Sequence, residues 1–375
     1  MKERDYPKSL KRDVVKLTKK LIGFNTENSL NGTKKMGNFI ANLLADAGFT
    51  IMKQRISENK ENIIAHAGNP KDSEIFFSSH MDTVPIGKGW TRNPLGESNS
   101  KKIYGRGACD MKGPLASTII AGLSAKKKNF ALVFTVDEET TLEGVKKFAP
   151  KIKKYLPNVK YGIVCEPNNL GLAIAHKGAI DVEITCYGKS AHSSMPEKGD
   201  NAIYNALSVI KKLLLFNKSK NIKIKDKLLG KPTINIGKIS GGLATNIVPD
   251  KCLVSLDYRL VPPQIPKEIF KDIKKIAKSQ GCSAKLNSGY SPHKISKKER
   301  IVLIVAKILK DMGMNFKITT APYYTEAEIL TNIGKIPCII LGPGRFSQLH
   351  KADEFIEISQ LKKAVKVYKK ILENF

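Results

Sequence analysis

The sequence predicts an α/β fold: a mostly parallel sheet flanked by helices, with a smaller α+β unit inserted into it. Three observations carry that expectation. Short apolar runs at 62–66, 74–79, 130–136, 161–165 and 337–341 have the length of buried strands, and helical patterns separate most of them. Apolar residues at helical spacing mark amphipathic helices at 9–23, 34–47, 301–311 and 360–374. Between these, residues 176–187 (HKGAIDVEITCY) and 251–260 (KCLVSLDYRL) alternate with period two, as strands of a one-sided antiparallel sheet do.

In 34–47, Met36, Phe39, Ile40, Leu43 and Leu44 form one stripe, and Gly48 follows as a stop signal. Pro114 can open a helix over 114–126, since the first helical turn needs no N–H from it. Helical stretches near 201–215 and 267–279 accompany the alternating strands, and the Lys-rich segment 217–231, without a clear period, reads as an exposed loop. In the last helix Leu361, Ala364, Val365, Tyr368, Ile371 and Leu372 share a face, with Ser359 placed to cap it. The expected division is a larger domain formed by 1–175 and 291–375, interrupted by an inserted unit at 176–290.

A chain of 375 residues is long enough for two cores, and 41% apolar with 26% charged residues is ordinary for a soluble globular protein. No apolar run approaches the roughly 18 residues of a membrane helix. The stretch MKERDYPKSLKRD is too polar for a secretory signal, so a cytoplasmic location is expected. The six cysteines (Cys109, Cys165, Cys186, Cys252, Cys282 and Cys338) form no CxxC pair and read as reduced thiols, mostly in the core. A net charge of +30 raises the question of a polyanion partner. The lysines lie on the polar sides of helical patterns, with no aromatic-interleaved basic motif and no zinc finger. They read as solvated surface rather than a nucleic-acid site.

Chemistry concentrates where apolar runs end. The run Ile75-Phe76-Phe77 passes through two serines into His80, and Asp82 follows in SSHMDTVP. Strand residues i and i+2 share a face, so the two side chains are expected to project together. Likewise ALVFTV runs into Asp137-Glu138-Glu139, YGIVC into Glu166-Pro167, and PCIILGPG precedes His350, while Asp110 sits in the glycine-rich turn GRGACDMKGP. Ligands of open α/β sheets bind beyond the carboxyl ends of strands. Carboxylates gathered there would repel and raise one another's pKa, and a cation would remove the repulsion. Imidazole and carboxylate donors without thiolate suit zinc, manganese or cobalt.

SSHMDTVP, YGRGACDMKGP, TVDEET, CEP and LHKADEF, in that order, resemble the di-zinc deacylase and peptidase family, and the resemblance covers nearly the whole chain. That family includes acetylornithine deacetylase, succinyl-diaminopimelate desuccinylase, aminoacylase and several carboxypeptidases. The resemblance implies a di-zinc exopeptidase-like catalytic domain, an inserted dimerisation domain, and hydrolysis of an amide bond by a metal-activated water. By matching positions, it implies that His80 and Glu166 bind one zinc, Glu139 and His350 the other, and that Asp110 bridges them. It further implies that Asp82 accepts the second ring N–H of His80 and that Glu138 is the general base. GKSAHSSMPEKGDNAI resembles the segment that contributes an oxyanion donor from the partner subunit, here His192. Asn246 and Arg259 are implied to hold the substrate carboxylate. YYTEAEIL, with Thr325 and Glu326, and the run LGPGRF resemble the acetylornithine deacetylase branch, which makes Glu326 a candidate for recognising a substrate amino group. A desuccinylase, a dipeptidase or carboxypeptidase, and a non-catalytic polyanion-binding relative are the alternatives.

Overall fold

The computed structural model describes residues 7, 9–28 and 32–375. Of the polar N-terminal stretch read against a secretory signal, residues 1–6 and 8 lie outside the described set. The chain divides into two compact units. The larger runs to Ile174 and resumes as Ile295–Ala321 and Thr325–Phe375; the smaller is Ala175–Lys294 with Pro322–Tyr324.

The larger unit is built on a sheet whose main strands are β1 (Thr50–Ser57), β2 (Lys60–Ala67), β3 (Ile75–His80), β4 (Phe130–Thr135), β5 (Tyr161–Pro167) and β6 (Leu172–His176). After the smaller unit's β7 (Gly178–Tyr187), β8 (Thr233–Gly241), β9 (Lys251–Leu260) and β10 (Ser283–Tyr290), the chain returns as β11 (Cys338–Gly342). The order is β1-β2-β4-β3-β5-β11-β6. The four central strands, β4, β3, β5 and β11, pair in parallel, while β1, β2 and β6 join antiparallel at the margins. β3 and β4 are buried throughout, as a sheet covered on both faces requires. Phe76 meets Phe148 at 6.4 Å and Phe77 meets Tyr368 at 5.1 Å, so adjacent residues of β3 serve opposite helical layers.

The covering helices include α1 (Val14–Ile22), α2 (Thr33–Ala45) and α3 (Gly113–Ser124), which Pro114 opens. The smaller unit contributes α4 (Ala202–Lys223) and α5 (Pro266–Lys278), and the C-terminal part α6 (Arg300–Asp311) and α7 (Ile358–Leu372). α7 starts after Glu357, with no side-chain cap, so Ser359 lies inside its first turn rather than capping it.

The smaller unit is an antiparallel sheet in the order β8-β9-β7-β10. The alternation in β7 and β9 puts Ile180, Val182, Ile184, Val254, Leu256 and Tyr258 into one core with Ala206, Val209 and Leu213 of α4 and Ile269 and Ile273 of α5. Two expectations are overturned here. The first half of 217–231 is helical, because α4 continues to Lys223, and Phe216 packs 6.3 Å from Tyr258. The cysteines are not all thiols: Cys186 and Cys282 are joined as a disulfide, whereas Cys109, Cys165, Cys252 and Cys338 are buried thiols. The antiparallel register that sets Thr185 opposite Ser283 brings the two sulfurs together across 96 residues of sequence. Among the described residues no helix is long and apolar enough to cross a membrane.

Candidate metal centre

The central parallel strands end together. β3 runs in register with β4 from Ile75 opposite Phe130 to His80 opposite Thr135, so His80 reaches the carboxyl edge of the sheet as β4 turns toward Glu138. Asp137 makes that turn at φ 62°, and its carboxylate is paired with Lys60 of β2. Glu166 sits at the end of β5. Asp110 comes from the turn after Gly107, and its peptide bond to Met111 is cis. His350, at φ 60°, lies in the loop after β11.

These side chains converge. His80 Nε2 is 3.2 Å from Asp110 Oδ1 and 3.6 Å from Glu166 Oε1. His350 Nε2 is 3.4 Å from Asp110 Oδ2 and 3.2 Å from Glu139 Oε2. Each oxygen of Asp110 therefore faces a different histidine. Two groups offer one donor atom each within 4.8 Å of one another: His80, Asp110 and Glu139, and His80, Glu138 and Glu166.

Asp82 departs from the expected role. Its carboxylate is 3.7 Å from His80 Nδ1, beyond hydrogen-bond reach, and the ring nitrogen instead meets the Asp82 backbone carbonyl at 2.9 Å. The carboxylate accepts the backbone N–H groups of Glu138 and Glu139, both at 3.1 Å. One residue thus orients a histidine through its main chain and the acidic pair through its side chain. A second device, not foreseen from the sequence, is Asn62. It is fully buried on β2, accepts from Val136 N at 3.2 Å and donates to Gly144 O at 2.8 Å, so it grips both ends of the segment bearing Glu138 and Glu139. A buried asparagine in the run KENIIAHA is its one sequence trace.

The electrostatics favour a cation. Glu139 Oε1 and Glu166 Oε1 are buried without a hydrogen-bond partner among the described residues, a costly state for a carboxylate oxygen. Burial, then the charge of Glu166, pushes Glu138 well above the usual carboxylate range. Burial and Asp110 do the same for Glu166, and more mildly for Glu139. Burial also acts to raise Asp110, but hydrogen bonds with His350 and His80 outweigh it and hold its pKa low. Burial disfavours a charged His80, yet the bond to Asp110 and the charges of Glu166 and Glu138 hold its pKa well above normal. Bonds to Asp110 and Glu139 lift His350 to about 10. Imidazole and carboxylate donors of this kind fit a divalent metal. A metal needs unprotonated rings, so binding expels the protons that these shifts retain. Calorimetric zinc titration at pH 7 in buffers of different ionisation enthalpy is expected to report release of about one proton or more per chain, with affinity rising with pH until His350 has titrated near 10. Buffer-independent heats would contradict this.

The other expected site residues have different settings. Thr325 and Glu326 are buried in the larger unit. Thr325 Oγ1 accepts from Ala327 N at 3.2 Å, and Glu326 Oε2 accepts from Ser78 Oγ at 3.0 Å. Glu326 precedes the helix Ala327–Asn332 without capping it by its side chain, and burial raises its pKa to about 7. His192, Asn246 and Arg259 belong to the smaller unit. His192 pairs with Ile247 in an isolated bridge, and Ser193 N donates to Asn246 O at 3.0 Å, which sets the two segments side by side. Ser194 N donates to His192 Nδ1 at 3.2 Å, which in the neutral ring leaves the proton on Nε2, on an exposed side chain. Arg259 Nε is held by Asp257 at 2.7 Å.

Comparison with known proteins gives the family. The model of peptidase family M20/M25/M40 matches residues 76–374. An acetylornithine deacetylase of Buchnera aphidicola subsp. Schizaphis graminum is 33% identical over 384 residues, covering 96% of this chain and 97% of the relative. One from Pectobacterium carotovorum subsp. carotovorum is 29% identical over 355 residues, covering 90% of each. An M20 family metallo-carboxypeptidase from Sulfolobus solfataricus shares the fold with a TM-score of 0.81 at 18% identity, over 96% of this chain and 98% of that one. Aminopeptidase PepT from Bacillus cereus shares it with a TM-score of 0.75 at 22% identity, over 96% and 97%. By its sequence, this chain belongs to peptidase family M20/M25/M40, a family of metal-dependent hydrolases.

Proposed function

We propose that the protein is a zinc-dependent amide hydrolase that releases an amino acid from its N-acyl form, in the manner of the acetylornithine deacetylases it resembles. The observation that carries the reading is the placement of Asp110, one carboxylate oxygen toward His80 and the other toward His350, with Glu138 and Glu139 beside them. His80 and Glu166 would hold one zinc, Glu139 and His350 a second, and Asp110 both. Cobalt or manganese suits the same donors. Bound there, a divalent ion supplies Lewis-acid polarisation and lowers the pKa of water toward neutrality.

The chain's own residues do the rest. Glu138 takes the proton from the attacking water and returns it to the departing nitrogen; the C–N bond breaks, leaving a carboxylate and a free amine. Asp82 fixes the amides of Glu138 and Glu139, so the base and its neighbour keep a constant spacing. His192, contributed by the second subunit of a homodimer, donates from Nε2 to the developing oxyanion. Arg259 and Asn246 hold the substrate carboxylate, a pairing that suits a guanidinium. The homodimer reading is supported by Tyr204, Leu207, Leu214 and Leu215, exposed along α4, and by exposed Ile239 on the edge strand β8. No membrane or nucleic-acid partner enters the proposal. Glu326, within electrostatic range of Glu138 and Glu166, serves with Thr325 the part of the site that recognises a substrate amino group.

A zinc-loaded panel of N-acetyl, N-succinyl and dipeptide substrates, with released amine read by mass spectrometry, tests the assignment. Acetylornithine is expected to be turned over fastest, and Glu326→Gln to slow it more than a plain N-acetyl amino acid. Preference for the N-succinyl substrate or for dipeptides would reassign the enzyme within its family. An equal effect of Glu326→Gln on both acetyl substrates would remove Glu326 from recognition.

A further inference from the structure

The turn that presents Asp110 is held from outside. Glu354, 1% exposed, accepts the backbone N–H groups of Cys109 and Asp110 on Oε1, at 2.8 and 3.0 Å, and that of Gly107 on Oε2 at 3.0 Å. Three amides of the turn thus converge on one carboxylate. Gly105 N also donates to the Glu354 carbonyl at 2.9 Å. Gly107 itself is at φ 80°, where a Cβ would stand 2.7 Å from Thr83 Cγ2, so the turn is packed with no slack against the segment after β3.

The second oxygen of Glu354 is shared with Arg106, whose Nη1 lies 2.7 Å away; that guanidinium is 5% exposed. Arg106 also donates to three carbonyls. Nε reaches Pro85 O at 3.1 Å, Nη2 reaches Ile86 O at 3.1 Å, and Nη1 also reaches Lys351 O at 3.2 Å. The ion pair therefore ties together three loops: the one after His80, the one bearing Asp110, and the one bearing His350. A guanidinium suits such a node because its donors are planar, fixed and permanently charged. Neither side chain touches the donor atoms of the centre.

We propose that the Arg106–Glu354 pair is the positioning unit of the metal centre, setting where the two carboxylate oxygens of Asp110 stand relative to His80 and His350. The inference rests on the metal-centre reading. In Glu354→Gln an amide replaces one oxygen, so an NH₂ must face either Arg106 or the backbone N–H groups, and one side of the node loses its acceptor.

The test uses the full chain, stripped with chelator. Zinc affinity is measured by competition with a chromophoric chelator, the cobalt-loaded form by its visible spectrum, and the metal-free form by thermal melting. Glu354→Gln is expected to bind zinc about ten- to a hundredfold more weakly than the parent, the range seen when a group supporting a metal ligand is lost, with an altered cobalt spectrum. Arg106→Lys, which keeps the charge but not the fork, is expected to shift both readouts in the same direction and serves if Glu354→Gln does not fold. A folded variant that melts lower yet matches the parent in zinc affinity and cobalt spectrum overturns the proposal in favour of a purely structural pair. A parent chain that takes up no metal overturns the metal-centre reading itself, a separate result seen before any variant is made.

Discussion

Replacing Glu138 by glutamine is expected to lower turnover about a hundredfold to ten-thousandfold, the range for loss of a general base, with metal content unchanged. The two halves of that expectation matter equally, because Glu138 lies close enough to His80 and Glu166 to be a third donor. Glutamine keeps the size and the oxygen acceptor but cannot accept a proton. If Glu138 moves the proton, kcat collapses and elemental analysis finds the same zinc per chain as in the parent. If Glu138 is a ligand, zinc is lost along with activity, and the reading of Glu166 and Glu138 must be exchanged. The backbone N–H of residue 138 still reaches Asp82 in the variant, so the turn itself is not disturbed.

Asp110→Ala should be more severe. Among the described residues, Asp110 alone lies within ion-pair distance of both histidines, so its loss is expected to strip the centre of both metal equivalents, whereas His350→Ala removes one. Activity should fall on the order of a thousandfold or more, beyond the ten- to hundredfold typical of a residue that only supports a ligand. The metal-free protein offers an independent readout. The hydrogen bond with Asp110 is the largest influence raising His350 to about 10, so in the alanine variant an NMR titration should find that ring shifted down toward the ordinary histidine value. Glu139 remains beside it and keeps part of the elevation. Retention of one full zinc equivalent in Asp110→Ala would show that the two metal positions do not share this carboxylate.

The residues legible in the sequence as strand ends were those that follow an apolar run directly. His80 and Glu166 close β3 and β5, and Glu138 follows β4, so hydrophobic patterning located them. Asp82 was misread for a definite reason. The rule that i and i+2 share a face holds only while the chain remains a strand, and β3 ends at His80. Beyond it the backbone turns, which brings the Asp82 carbonyl rather than its carboxylate to the ring. The extension of α4 through Lys218 and Lys220 was hidden because lysines there dilute the apolar period, although Lys220 reaches back to Asp272 of α5 at 3.1 Å. Strands β8 and β10 lie at the edges of their sheet with at most half-buried side chains, and so offered little hydrophobic contrast. No local pattern could pair Cys186 with Cys282, since only the sheet register brings them together.

The division of Asp82 between its main chain and its side chain has a consequence for motion. Catalysis depends on distances between groups, not on their absolute positions. Because the imidazole of His80 and the amides of Glu138 and Glu139 hang from the same residue, a thermal displacement of the end of β3 carries all three in one direction. Such a displacement cancels in the separations among these groups. The spacing of His80 and Glu138 is thereby referred to one shared residue rather than to two independent segments, so noise is shared rather than added.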